Sequence, residues 1–179
     1  MDATEALRRE HRVIERVLAG LERIAAAGQA VDRQRAEKAL EILRNFADRC
    51  HHGKEERQLF RLMEQHGMSH NAGPLAVMLH EHDEGRRHVR AMSEALPGAS
   101  SGDAAAVKTF AEHARAYAAL LRAHIDKEDR VLYPMAERML SQDEDQQLVA
   151  AFDAIEREEM GEGAHEQYHR WAHELAEGA

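Results

Sequence analysis

Two segments of this 179-residue chain repeat one arrangement of ligating side chains. HHGKEERQLF sets His51 four residues before Glu55, and HIDKEDRVLY sets His124 four residues before Glu128. Each is followed by an apolar-aromatic pair, Leu59-Phe60 in the first and Leu132-Tyr133 in the second. A shorter repeat accompanies them: Glu10-His11 recurs as Glu81-His82. The two repeats are displaced by 73 and 71 residues, so the chain reads as two similar helical hairpins. Each hairpin gives one His from its first helix and a His/Glu pair from its second. Six such ligands suit two metal ions. Imidazole and carboxylate without thiolate fit iron, manganese or zinc, and vacant coordination positions fit iron acting on a small molecule. Two shared carboxylates leave two histidines for each ion, and a bridging oxide or hydroxide beside an open position completes the set.

Spacing alone does not select these residues, because His-x-x-x-Glu also occurs at His11/Glu15, His52/Glu56, His80/Glu84 and His173/Glu177. Such pairs form readily on solvated helix faces. Facing selects them. At roughly 100° per residue from Leu40, His51 falls near 20° and Glu55 near 60°, whereas His52 and Glu56 fall at about 120° and 160°. From Leu121, His124 sits near −60° and Glu128 near −20°, with Asp129 off the stripe at about 80°. The expected inward set is therefore His11, His51, Glu55, His82, His124 and Glu128. Histidines 52, 66, 70, 80, 88 and 113 are expected on the surface. Two carboxylates and four imidazoles inside an apolar bundle are very costly unless a cation binds them.

The elements that must carry these residues are helical. Hydrophobic residues make up 44% of the chain and aromatics only 4%, a balance that favours helix over sheet. The periodicity predicts long helices over about 3–26, 32–66, 74–96 and 103–139, with Asp32 and Asp103 as caps. Val107, Phe110, Tyr117, Leu121, Val131 and Met135 are expected to face inward on the last of these. The stretch PGASSGD (97–103) reads as a linker, and GMSHNAGP (67–74) as a loop. The expected fold is all-α: an up-down-up-down four-helix bundle (1–140) with two additional C-terminal helices, about 143–160 and 164–177, forming an extension (141–179). In that extension His165, Tyr168, Ala172 and Leu175 share a face, and either His165 or Tyr168 is a candidate extra metal ligand.

A net charge of −9 argues against nucleic-acid or anionic-membrane partners. One cysteine, Cys50, excludes an internal disulfide and fits a reducing compartment. No apolar run approaches a membrane span and no signal peptide is recognisable at the N-terminus, so a cytoplasmic protein is expected.

Glu10-His11, His51–Glu55 with Glu56 and Leu59-Phe60, Glu81-His82, and His124–Glu128 with Leu132-Tyr133-Pro134 together resemble the hemerythrin-like (HHE cation-binding) family. The resemblance spans about 11–134 and implies a four-helix bundle around a non-haem di-iron centre. Oxygen-carrying members have a further His one turn before the third-helix ligand, where this chain has Met78. They also use an Asp five residues after the fourth-helix His, where this chain offers Asp129 beside Glu128. The pattern is more similar to four-His, two-Glu bacterial relatives linked to nitric oxide, iron or redox stress. It implies a protein that binds or processes O₂, NO or peroxide, with an iron- or oxygen-responsive sensor or store as the alternative.

Overall fold

The computed structural model describes residues 2–161 and 163–177. Helix α1 is Ala3–Ala26, and its N-cap Asp2 accepts from the backbone N–H of Glu5 at 2.7 Å. Helix α2 runs unbroken over 33–65, capped by Asp32, which accepts from Arg35 N–H. Helix α3 is Gly73–Ser100, and α4 runs over 104–139 from the cap Asp103. Helices α5 (Gln142–Glu159) and α6 (Ala164–Glu177) follow. The fold is all-α, a four-helix bundle with two C-terminal helices packed against α1 and α2. Among the described residues no helix is long and apolar enough to cross a membrane.

The two helices that carry the His-x-x-x-Glu segments change their winding there. In α2 the stretches Leu43–His52 and Glu55–Leu59 are π-helical, and in α4 so is Glu128–Leu132. A wider turn carries each residue through a smaller angle. Leu43, Ala47, His51, Glu55, Leu59 and Met63 are consequently all buried at strict four-residue intervals. A regular α-helix drifts by about 40° every four residues and could not hold that row on one face.

The same change corrects two expectations. Val131 is 50% exposed, and Leu132, Tyr133 and Ala136 take the inward face of α4. His52 turns inward and is only 4% exposed. The linker at 97–103 is also shorter than expected, because α3 continues through Pro97 to Ser100. Proline removes one donor there, but a Cβ on Gly98 would lie 2.8 Å from Ala106 Cβ, so α3 and α4 approach closely enough for packing to hold the last turn. Gly102, at φ 86°, then reverses the chain.

Two apolar cores lie on either side of the layer of inward His and Glu side chains. One gathers Ile14, Leu18, Leu40, Phe46, Met92, Phe110 and Tyr117; the other gathers Leu7, Leu59, Phe60, Met63, Leu75, Met78, Leu132 and Tyr133. Cys50 is fully buried, and burial pushes its thiol up to about 12. Helix α6 docks where α1 has no side chain: a Cβ at Gly20 would sit 2.7 Å from Leu175 Cβ. Replacing Gly20 with Val is expected to loosen α6 at a cost of about 1–3 kcal/mol. The single Trp171, on α6, should report this as a red shift in fluorescence with the bundle's helicity retained.

Candidate metal centre

Each of the four histidines expected to face inward is held through Nδ1 by a carboxylate from a neighbouring helix. His51 Nδ1–H donates to Glu10 at 2.8 Å and His124 Nδ1–H to Glu81 at 2.8 Å. His11 Nδ1–H donates to Asp129 and His82 Nδ1–H to Glu56, both at 2.7 Å. These carboxylates fix one tautomer throughout and turn every Nε2 lone pair toward the centre. There His11 Nε2 lies 3.1 Å from His51 Nε2, and His82 Nε2 lies 3.0 Å from His124 Nε2.

Glu55 and Glu128 project into the same space. Glu128 Oε2 is 3.3 Å from His11 Nε2, while Oε1 is 3.1 Å from His124 Nε2, so one carboxylate faces both histidine pairs. Glu55 Oε2 lies between His51 (3.8 Å) and His82 (3.4 Å). Among the described residues, Glu55 Oε2 and both oxygens of Glu128 are buried without a hydrogen-bond partner. With its imidazoles neutral, the centre consists of nitrogen lone pairs and carboxylate oxygens aimed at one another, all of them acceptors. A cation is the ordinary way to stabilise such a set. Two groups have their ligand atoms within 4.8 Å of one another: His11, His51, Glu55 and Glu128, and His52, Glu55, His82 and His124.

All six residues expected from the sequence thus meet, and one more joins them. His52 stacks on His82 with ring centroids 3.9 Å apart, while its Nδ1 is turned to Asp48 at 3.3 Å. Helical arithmetic at a fixed 100° placed it on the surface, but the four-residue rhythm of Leu43, Ala47, His51, Glu55 and Leu59 is the sequence signal for a wider turn. Asp129, off the stripe, does not enter either group and instead holds His11. Of the other histidines expected outside, His66, His70 and His80 are partly or largely exposed, and His88 pairs with His113 at 2.9 Å. Tyr168 and His165 do not join the centre. Tyr168 is bonded through its hydroxyl to Asn45, and His165 packs on Phe46. The tyrosine that reaches the site is Tyr133, whose hydroxyl donates to Glu55 Oε1 at 2.6 Å and lies 3.2 Å from His11 Nε2. Met78 is buried in the adjoining apolar core.

The protein is thus a near-symmetric double site with an internal repeat, and a match to a known family model decides what kind. The hemerythrin HHE cation-binding domain model matches residues 2–136. The chain belongs to that family. As an HHE-domain protein it is a metal-binding bundle, and its matched span covers all six expected ligands. Uncharacterized proteins of Mycobacterium tuberculosis and Mycobacterium bovis are 29% identical to it over 164 residues, 89% of this chain. The chain spans 63% of the length of these relatives. No solved structure matches it.

Electrostatics follow from this geometry. Burial pushes the His11 pKa down, but the Asp129 carboxylate bonded to Nδ1 and the nearby charges of Glu128 and Glu55 override it and hold it near 9. Burial likewise opposes, and the charge of Glu128 outweighs it, at His124, which is raised to about 10. Burial disfavours the Glu128 carboxylate, yet His124 and His11 hold its pKa well below the usual range. Protons on the imidazoles thus take the place of a cation. Because these pKa values are raised, the protons are bound at neutral pH and a metal must displace them. Adding a divalent metal to metal-free protein at pH 7 should release protons, visible with an indicator dye in weak buffer. Affinity should fall as pH is lowered. Substituting Glu10 or Glu81 with Gln should weaken metal binding about 10- to 100-fold, measured by chelator competition, since each orients one ligand.

Proposed function

We propose that this protein is a non-haem di-iron protein that binds or processes a small ligand, O₂, NO or peroxide, at an open iron position in a cytoplasmic response to redox or nitrosative stress. His11 and His51 would hold one iron, His82 and His124 the other, with Glu55 and Glu128 shared and an oxide or hydroxide bridging. The observation that carries this reading is that Glu128 presents one oxygen to each histidine pair while Glu55 belongs to both ligand groups. Shared carboxylates imply a pair of ions rather than two separate sites.

Bound iron would supply the redox chemistry. The chain supplies its surroundings. Leu59, Phe60, Met78 and Leu132 exclude water on one side. Met78 contributes no nitrogen where oxygen-carrying relatives have a ligand, which favours a reactive rather than a purely carrying site. Tyr133 holds its proton firmly, because burial and the charges of Glu128 and Glu55 raise its pKa well above the ordinary value. It therefore acts as a hydroxyl donor to Glu55.

One feature favours the second reading, a sensor or store signalling through α5 and α6. Glu156 on α5 pairs with Lys54 at 3.1 Å; Lys54 also pairs with Glu10, and Glu10 holds His51. The extension is two side chains away from a ligand. Elemental analysis and an optical spectrum of the purified protein, before and after NO or azide, test the proposal. Two irons per chain are expected, lost on replacing His51 or His124 with Ala. Turnover of NO or peroxide by the reduced protein supports processing, whereas metal-dependent release of α5 and α6 without turnover supports sensing. Protein that takes up no iron removes both readings.

A further inference from the structure

The two repeats differ most where a cavity opens onto one of them. A cavity of about 360 Å³ lies between α2 and α3, backed by Tyr117 from α4, and its lining includes His52 and His82. The repeat displacements of 73 and 71 residues identify the matching residues in the other half. Where Asp48, His52 and Gly85 line this cavity, the other repeat has Leu121, Ile125 and Ile14, all buried in its core. Three apolar side chains that fill one half are thus replaced by a carboxylate, an imidazole and a hydrogen atom in the other. The glycine sets the width at its position, because a Cβ on Gly85 would already lie 3.3 Å from the Tyr117 ring.

The charge of the mouth is opposite to that of the protein. Arg44, Arg49, Arg86 and Arg90 surround it in a chain of net charge −9. Arg86 is neutralised by Asp48, Asp83 and Glu56 at 2.7–2.9 Å. Glu56 in turn holds His82, so this guanidinium is tied to the ligand layer. Among the described residues, no carboxylate lies within ion-pair distance of Arg44, Arg49 or Arg90. Arg44 spends its Nε–H on Leu40 O at 3.2 Å, but all three guanidiniums lack a carboxylate partner and so attract anions, and the planar fork of a guanidinium suits small planar oxyanions.

We propose that this cavity is a binding site for a small monovalent oxyanion, held by the guanidiniums of Arg44, Arg49 and Arg90 at the mouth, and that it gives such anions access to the His82/His124 side of the centre alone. The matching region of the other repeat is filled with isoleucine and leucine and offers an anion no partner. The two metal positions proposed above would then differ in what reaches them. Gly85 and His52 set the opening, and Arg49 and Arg90 set the charge preference.

The inference rests on the di-iron reading, and nitrite binding to the ferric, iron-loaded protein tests it, followed by calorimetry at several ionic strengths. Nitrite should bind the wild-type protein, more weakly as salt screens the arginines. The Arg49→Gln/Arg90→Gln pair should raise the dissociation constant about tenfold and flatten the salt dependence. Gly85→Ile, which restores the other repeat's residue, should abolish binding. Arg49→Gln/Arg90→Gln lies outside the ligand layer and serves as the control should Gly85→Ile fail to fold. An iron-loaded protein that binds no nitrite, or binds it equally in wild type and the arginine variant, overturns this inference and leaves the di-iron reading intact. A protein without iron overturns the earlier reading and this one with it.

Discussion

With the rings neutral, four imidazole lone pairs and two carboxylates share one dry layer in the middle of the bundle, and almost nothing there can donate a hydrogen bond. The donors have all been spent outward: each Nδ1–H is committed to Glu10, Glu56, Glu81 or Asp129. This commitment keeps the rings from turning and keeps the layer electron-rich. Every other feature answers to it. The apolar cores above and below exclude the water that would otherwise solvate the carboxylates, and the four helices are held together at this level by whatever positive charge occupies it. With protons alone, the layer is a mixture of imidazolium and carboxylate; breaking any one partner leaves a buried charge uncompensated.

Much of this was legible in the sequence because the chain states it twice. The displacements of 73 and 71 residues drew attention to the two repeats, and facing on the helices then selected six side chains from among the other His-x-x-x-Glu pairs. Helix caps at Asp32 and Asp103 were equally plain, since a short acidic side chain before an apolar-periodic run has few other uses. What escaped depended on winding. A fixed angle per residue served α1 and α3, but it sent His52 to the surface and Val131 to the core, because wide turns had been inserted where the ligands sit. Pro97 misled for a different reason: its lost hydrogen bond is local, whereas the close contact of α3 with α4 beside it is not visible from spacing.

The two halves match in the ligands and diverge around them. Lys54 and Lys127 occupy equivalent positions and pair with equivalent glutamates, yet the side chain of Lys54 is 3% exposed under α5 while that of Lys127 is 40% exposed. Tyr133 bonds to Glu55, but its counterpart Phe60 has no hydroxyl to offer Glu128 and stacks on His82 instead. His52 and Ile125 differ in the same sense. The repeated frame carries the same inward His and Glu side chains in both halves but different surroundings, which is how one near-symmetric layer comes to present two unlike faces.

The burial of Cys50 has a consequence for a protein built around a metal-binding layer. With its pKa pushed up to about 12, the sulfur is almost never a thiolate, and the thiolate is the form that peroxides and disulfides attack. The chain's lone sulfhydryl is therefore mute in the closed molecule, and any reagent that does find it measures how often the second helix lifts away from its neighbours.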